Sequence, residues 1–341
     1  MIKHSFKVSK LSAIIAGIVL LILYSISIFA PYVAPYPYKQ QNRAFPDLPP
    51  TSIHFTVVEN GKTTLVRPYV YRYELTDIHA HKYSEVKNRI YPIRFFTGGK
   101  LFYVKDAGIH LLGTDQLGRD YFSRLVYGGR VSLFIGLIGA LISFSIGIVI
   151  GTLSGYIGGI VDTLIMRFTE IIMSLPAFYF LLTLAVIIPA GVSSSTTFML
   201  IIVILSFIGW AGFARVIRGI VLSIKERDFI IASRAYGDSI RGIILKQLIP
   251  NLMYYTVVAI TLSIPGYIIS ESALSMLGLG IRDPDVSWGN MLSEATNVEA
   301  LTARPWMLAS GIAIIITILC LNILGDYLRS ILDPRTNNHK A

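Results

Sequence analysis

The chain has 341 residues, 53% hydrophobic and 15% charged, with a formal net charge of +10 and a mean hydropathy of +0.62. Soluble domains carry about 25% charged residues, so this composition excludes a soluble globular chain and predicts a membrane protein. Its basic excess reads as Lys- and Arg-rich cytoplasmic loops, not as a nucleic-acid surface, and the single cysteine, Cys320, permits neither a disulfide framework nor a thiolate zinc site.

Residues 1–10 carry Lys3, Lys7 and Lys10, and the apolar run Leu11 to Ala30 follows. The run is long enough to cross a ~30 Å hydrocarbon core. The apolar region of a signal peptide is shorter, about 7–15 residues, and ends at a small-residue cleavage site. This one is longer and leads into Pro31-Tyr32. Residues 1–30 are therefore predicted to be a cytoplasmic N-terminus and an uncleaved first span.

Residues 31–110 form a predicted extracytoplasmic insertion. Pro31, Pro35, Pro37, Pro46, Pro49 and Pro50 forbid regular helix at its start. Phe55 to Val58 and Thr63 to Val66 flank Glu59-Asn60-Gly61-Lys62, a hairpin signal. Tyr69 to Tyr73 and Tyr91 to Phe96 are further strand candidates, so the insertion is expected to be β-rich. His54, His79, His81 and His110 do not repeat a ligand spacing, and no metal site is assigned to them.

Residues 111–330 are read as one membrane core. In 111–132, Thr114 or Asp115 is expected to cap a helix whose apolar side is Tyr121, Phe122, Leu125 and Val126. Arg119, Arg124 and Arg130 are expected at the interface or in water. Leu133 to Tyr156 is the second span. Along it Gly139, Ser143, Gly147, Gly151 and Gly155 recur every four residues, a smooth stripe of the kind that lets membrane helices pack closely. Asp162 to Ala190 is the third span, with an Arg167–Glu170 pair one turn apart near its start and a kink at Pro176. Thr197 to about Val221 is the fourth. Leu252 to Met276 is the fifth, broken near Pro265-Gly266 and ended by Gly278-Leu279-Gly280. Trp306 to Leu324 is the sixth, and 331–341 is a tail.

Between the fourth and fifth spans lies the polar loop 223–250. A short helix through Ala232, Ser233, Arg234 and Ala235 would end at Gly237, which enters a left-handed turn at little cost. Asp238 or Ser239 would cap a second short helix running to Pro250. Six spans with the N-terminus inside put this loop and the C-terminus on the cytoplasmic side, together with Arg215, Arg218, Lys225, Arg227, Arg234, Arg241 and Lys246. Ala190 to Thr196, on the other side, carries no charge, as the positive-inside rule requires.

Gly237 followed thirteen residues later by Pro250, after an Ala-rich turn, resembles the EAA loop of ABC-importer permeases, E-A-A-x-x-x-G-x9-I-x-L-P. Here Ile231 stands for the glutamate, Ser233 for the second alanine and Gln247 for the isoleucine. The segment 111–132, with Gly113-Thr114-Asp115 and Gly118-Arg119-Asp120, resembles C-type subunits of oligopeptide and dipeptide permeases. So do Glu271 to Leu292 and Leu332-Asp333-Pro334-Arg335. The resemblance covers the first span and everything from about Leu111 onward, but not residues 55–110. It implies an all-α membrane protein with the six-helix type I importer permease fold. It implies a homologous second permease, two ATPase subunits that hold ATP and Mg, an extracytoplasmic substrate-binding protein, a surrounding lipid bilayer and a peptide substrate. It implies no cofactor on this chain and contact with the ATPases through Ala232, Ser233, Arg234, Ala235, Gly237, Asp238 and Pro250. Nickel importers share the architecture, and an ion-coupled carrier or membrane enzyme is the reading from another class. No G-x-x-x-x-G-K-[ST], H-E-x-x-H or G-x-S-x-G occurs, so the chain carries none of the ATP or hydrolase motifs that these patterns mark.

Overall fold

A computed structural model describes residues 9–59, 62–77, 81–189, 191–296, 302 and 304–332. The Asn60-Gly61 turn, His79, Ala190 and the Asp333-Pro334-Arg335 ending lie outside the described residues. So do Lys3, Lys7 and Lys340. The helices are α1 (Lys10–Ile28), α2 (Ala30–Val33), α3 (Tyr121–Ile157), α4 (Gly159–Ser174), α5 (Ala177–Val186), α6 (Ser194–Ile224), α7 (Asp228–Ala235), α8 (Ile240–Ile243), α9 (Ile249–Met276), α10 (Trp288–Glu294) and α11 (Ala309–Leu332). The strands are β1 (His54–Glu59), β2 (Lys62–Asp77), β3 (Lys82–Pro92), β4 (Arg94–Thr97) and β5 (Lys100–Tyr103).

Five helical stretches among the described residues are long and apolar enough to cross a membrane, and six if the bent pair α4–α5 counts as one span. That pair corrects the expected single kinked helix. Pro176 is the N-cap of α5 and Leu175 the extended C-cap of α4, and the axes turn by 84°. Pro265 does the opposite of what its sequence position suggests. It lies inside α9, which runs unbroken to Met276. Membrane helices accept proline because local adjustments and nearby hydroxyls re-satisfy the freed backbone groups.

The chain divides into two compact units. In the first (residues 1–21, 133–274 and 315–341) α3 lies against α6 along the small-residue stripe. A Cβ added at Gly147 would meet Phe213 Cδ1 at 2.8 Å and Trp210 O at 3.0 Å; one at Gly151 would meet Ala214 O at 2.4 Å; one at Gly155 would meet Arg218 O at 2.9 Å. Gly139 faces Tyr267 Cδ1 at 3.0 Å, and its carbonyl accepts from Ser206 Oγ. Ser143 donates to Ser206 O (3.2 Å) and accepts from the Tyr267 hydroxyl (2.6 Å). Close backbone approach, with hydroxyls bridging it, is what holds spans together where lipid removes most of the hydrophobic drive.

The second unit (residues 22–132 and 275–314) contains the insertion. β1, β2 and β3 form an antiparallel sheet in that order, and β4–β5 is a separate hairpin. Val70, Ile93, Phe102, Val104 and Ile109 make the insertion's core. α10 packs on the start of α3: Trp288 Nε1 donates to Leu125 O at 2.9 Å, and Gly128 and Gly129 leave room for its ring. The capping expectation is corrected here. α3 begins at Tyr121, and Asp120 Oδ2 accepts from Ser123 N. Asp115 instead closes a tight loop by accepting from Leu117 N and Arg119 N.

Candidate coupling site

The loop after α6 folds as two short helices. α7 ends at Ala235 with Tyr236 as its C-cap, and Gly237 follows at φ +82°. Asp238 N donates to Ser233 O and Gly237 N to Arg234 O, both at 3.0 Å. This pair of bonds is a Schellman C-cap. Ser239, not Asp238, caps the next helix, accepting from Gly242 N.

That helix does not stop at Pro250. α8 continues through one π turn, Ile244–Leu248, into α9. Proline has no N–H to give the preceding turn, and the widened turn lies directly before it, with Ile249 N bonding back to Ile244 O. Pro250 lines a cleft of about 1020 Å³ with Ser223, Arg227, Asn251, Tyr255 and Arg329.

The knuckle has two distinct sides. Behind it, Ile230, Ile243 and Leu248 are buried in one cluster with Phe144 of α3, Phe213, Ile217 and Val221 of α6 and Leu252 of α9. In front, Ile231 is 50%, Tyr236 89% and Ile240 58% exposed. Ala232, Arg234, Ala235 and Asp238 are exposed as well, and Ser233 is half-buried. A Cβ on Gly237 would meet nothing within 4 Å. So the knuckle is packed at the rear and presents small, apolar and charged groups forward.

Charges tie the knuckle's neighbours together. Arg218 pairs with Asp162 at the start of α4, Nε to Oδ1 at 2.8 Å. Lys225 Nζ donates to Gly155 O, and the Arg234 guanidinium lies 4.9 Å from the Tyr156 ring centre. Arg167 and Glu170 pair at 3.0 Å with both side chains exposed. The Asp162–Arg218 pair escaped sequence reasoning because its members are 56 positions apart.

The second unit holds a buried charge cluster where sequence placed surface arginines. Arg119 is 3% and Arg124 1% exposed, whereas Arg130 is exposed. Arg119 bonds Asp115 (2.6 Å) and Asp283 (2.7 Å). Arg124 bonds Asp115, Asp283 (3.2 Å) and Glu294 (2.9 Å). Burial pushes the Glu294 carboxyl above the ordinary glutamate range, against the opposing pull of Arg124. The candidate metal histidines are separately engaged: His54 with Glu85, His81 with Asp47, His110 with Asp120. Among the described residues no three or more His, Cys, Asp or Glu side chains gather as a metal site would need.

Helices long and apolar enough to cross a membrane, with a knuckle between α6 and α9 that is packed at its rear and exposed at its front, mark the chain as a membrane protein. The family model for the binding-protein-dependent transport system inner membrane component matches residues 147–338, and the chain belongs to that family. The model for the N-terminal TM domain of oligopeptide transport permease C matches residues 4–50. The chain is 41% identical over 227 residues to the dipeptide transport system permease protein DppC of Bacillus subtilis, covering 66% of this chain and 69% of that one. It is 41% identical over 229 residues to the oligopeptide transport system permease protein OppC of Haemophilus influenzae, with 67% and 71% covered. With OppC of Escherichia coli K12 the figures are 40% over 227 residues, with 66% and 72% covered. The family is one of transport subunits in the membrane, not of catalysts.

Proposed function

We propose that this chain is the permease subunit of an ATP-driven peptide importer in the bacterial cytoplasmic membrane, with six spans and both termini in the cytoplasm. The names of the relatives support peptide cargo over nickel. The chain supplies half of the translocation path beside a homologous second permease. Two ATPase subunits, which hold ATP and Mg, bind at the knuckle, and a substrate-binding protein delivers peptide on the opposite side. This chain binds no cofactor of its own.

The observation that carries the reading is the knuckle's asymmetry. Its rear shares one buried cluster with α3, α6 and α9, so a push or pull on its front moves those helices as a body. Closing of the ATPase dimer would draw two such knuckles together and open the bundle outward. Hydrolysis would return it to the inward-facing form.

Two substitutions at Gly237 test this. Valine is strongly disfavoured at φ +82°, so Gly237→Val removes the turn. Asparagine tolerates left-handed backbone, so Gly237→Asn keeps the turn and only adds bulk in the open space before it. Both are expected to leave the chain in the membrane while releasing the ATPases or uncoupling hydrolysis from peptide uptake. Wild-type co-purification, hydrolysis and uptake in both variants would sink the coupling assignment.

A further inference from the structure

The β4–β5 hairpin turns at Gly98 and Gly99, both at positive φ. Its register pairs Arg94 with Tyr103, Phe95 with Phe102 and Thr97 with Lys100. Opposed side chains in an antiparallel pair share a face, so the strands have an inner and an outer side. Phe102, on the inner side, is buried against Val70, Ile93 and Ile109, while Phe95, opposite it on that side, is 54% exposed. On the outer side Tyr103 is 40% and Leu101 37% exposed, and Phe96 is 83% exposed. Phe96 also sits at φ +54°, a region that bulky side chains rarely adopt.

An anchor fixes where this hairpin lies. The Lys100 ammonium donates to Pro31 O at 2.9 Å and to Ala34 O at 2.8 Å. Pro31 lies in the helical turn α2 and Ala34 is its C-cap, and Phe29 alone separates that turn from α1. Phe29 and Tyr32 are exposed too, at 56% and 59%. The strand bearing Phe96 runs about 4.8 Å from the strand bearing Lys100. The interfacial layer of a bilayer is roughly 5–7 Å deep on each side. A hairpin pinned to the turn just beyond the end of an apolar span therefore stands at the level of that layer.

We propose that the hairpin is a membrane foot: Phe96, Leu101 and Tyr103 rest in the phospholipid headgroup layer at the end of α1, with Arg94 among the phosphates. The inference rests on α1 being a membrane span. The chemistry fits a lipid surface. An apolar Phe/Leu face rimmed by a base enters the headgroup–acyl boundary, and tyrosine belongs to the interfacial belt. The strained, water-facing Phe96 gains an apolar surrounding, and the Lys100 anchor holds the insertion at a fixed height above the span.

The test uses the full chain in nanodiscs of phosphatidylethanolamine and phosphatidylglycerol containing a lipid spin-labelled near its headgroup. In a Cys320→Ser background, a fluorophore is placed on Phe96→Cys, on Phe29→Cys at the end of the span, and on Leu65→Cys, which is 84% exposed on β2. Position 96 is expected to be quenched at least half as strongly as position 29, and position 65 hardly at all. Adding Lys100→Met to Phe96→Cys should at least halve the quenching at 96. Quenching at 96 no greater than at 65, with 29 quenched, overturns the foot and leaves the transport reading standing. An unquenched position 29 overturns the span placement and the foot with it. Shielding of 96 by added substrate-binding protein, without lipid quenching, overturns the foot in favour of a protein contact.

Discussion

Gly151→Ala adds one methyl group at the closest point of the α3–α6 contact. The new Cβ would stand 2.4 Å from Ala214 O and 2.9 Å from Ile217 Cβ, whereas ordinary contact begins at 3.4 Å. Backbone cannot swing aside as a side chain can, so the helices must part by about 1 Å there. A gap of that size forfeits about a quarter to a half of the dispersion attraction of every atom pair across it. Gly147 and Gly155 lie on the same contact and lose theirs together. Overpacking of this kind costs about 1–3 kcal/mol, offset by the roughly 1 kcal/mol by which alanine favours helix over glycine. Gly212→Ala on α6 is the matched control, because its Cβ meets nothing within 4 Å. It carries the same propensity gain and no clash. The two variants should therefore differ by about 1–3 kcal/mol, with Gly151→Ala melting several degrees lower in the same detergent. Equal melting midpoints would refute the reasoning and put the stripe outside the structural contact.

The proposed topology predicts that Ser84→Cys is labelled by an impermeant maleimide in intact cells and that Ser239→Cys is protected; the reverse pattern inverts the orientation. Asp115→Asn weakens the carboxylate that serves both Arg119 and Arg124, and should destabilise by about 3–5 kcal/mol, the usual penalty for leaving buried charge uncompensated. Glu294→Gln should cost far less, because burial already disfavours its charge. The sign at Glu294 is the reverse of the common carboxylate case. Its raised folded pKa means the folded chain holds the proton more tightly, so its contribution is full below the unfolded glutamate range and is lost as pH rises through the folded value. Glu294→Gln should flatten that fall in melting temperature, and an unchanged pH profile would refute the assignment.

Patterns confined to one helix or one turn could be read directly. The glycine spacing along α3 and the turn at Gly237 need only local geometry to make sense. What the chain does across long separations was not legible. Arg119 and Arg124 look like surface bases because Asp283, 164 and 159 positions away, cannot be assigned to them in advance. Asp115 is taken up by Arg119 and Arg124 while Asp120 caps α3, so the cap is not Thr114 or Asp115 as the sequence suggests. Pro250 and Pro265 misled for a related reason. In isolation each should end a helix, but a π turn precedes the first, and the second lies in a helix whose membrane setting offers no competing solvent for the backbone. Pro176 behaves as its type suggests: Leu175 is extended and Pro176 caps α5, so the break falls where the proline cannot donate to the preceding turn.

The knuckle's departures from the EAA pattern are themselves related. Ser233 holds the position of the second alanine and Gln247 that of the isoleucine, and in the structure the Gln247 amide donates to the Ser233 hydroxyl. Two polar residues stand where the pattern has two apolar ones, at a point where α7 and the π turn touch. Such an exchange is tolerable only as a pair. Ser233→Ala would strand a half-buried amide whose oxygen already lacks a partner, costing about 1–3 kcal/mol. Gln247→Ile alone would leave the hydroxyl against an apolar surface. The double variant Ser233→Ala, Gln247→Ile restores the apolar contact of the pattern and should return to within about 0.5 kcal/mol of the parent, a strongly non-additive cycle. Melting of the purified chain reads the energy, and peptide uptake reads whether the knuckle's front is still presented correctly. Additive losses in the cycle would mean that the two side chains meet without depending on each other, and the link between the two departures would fail.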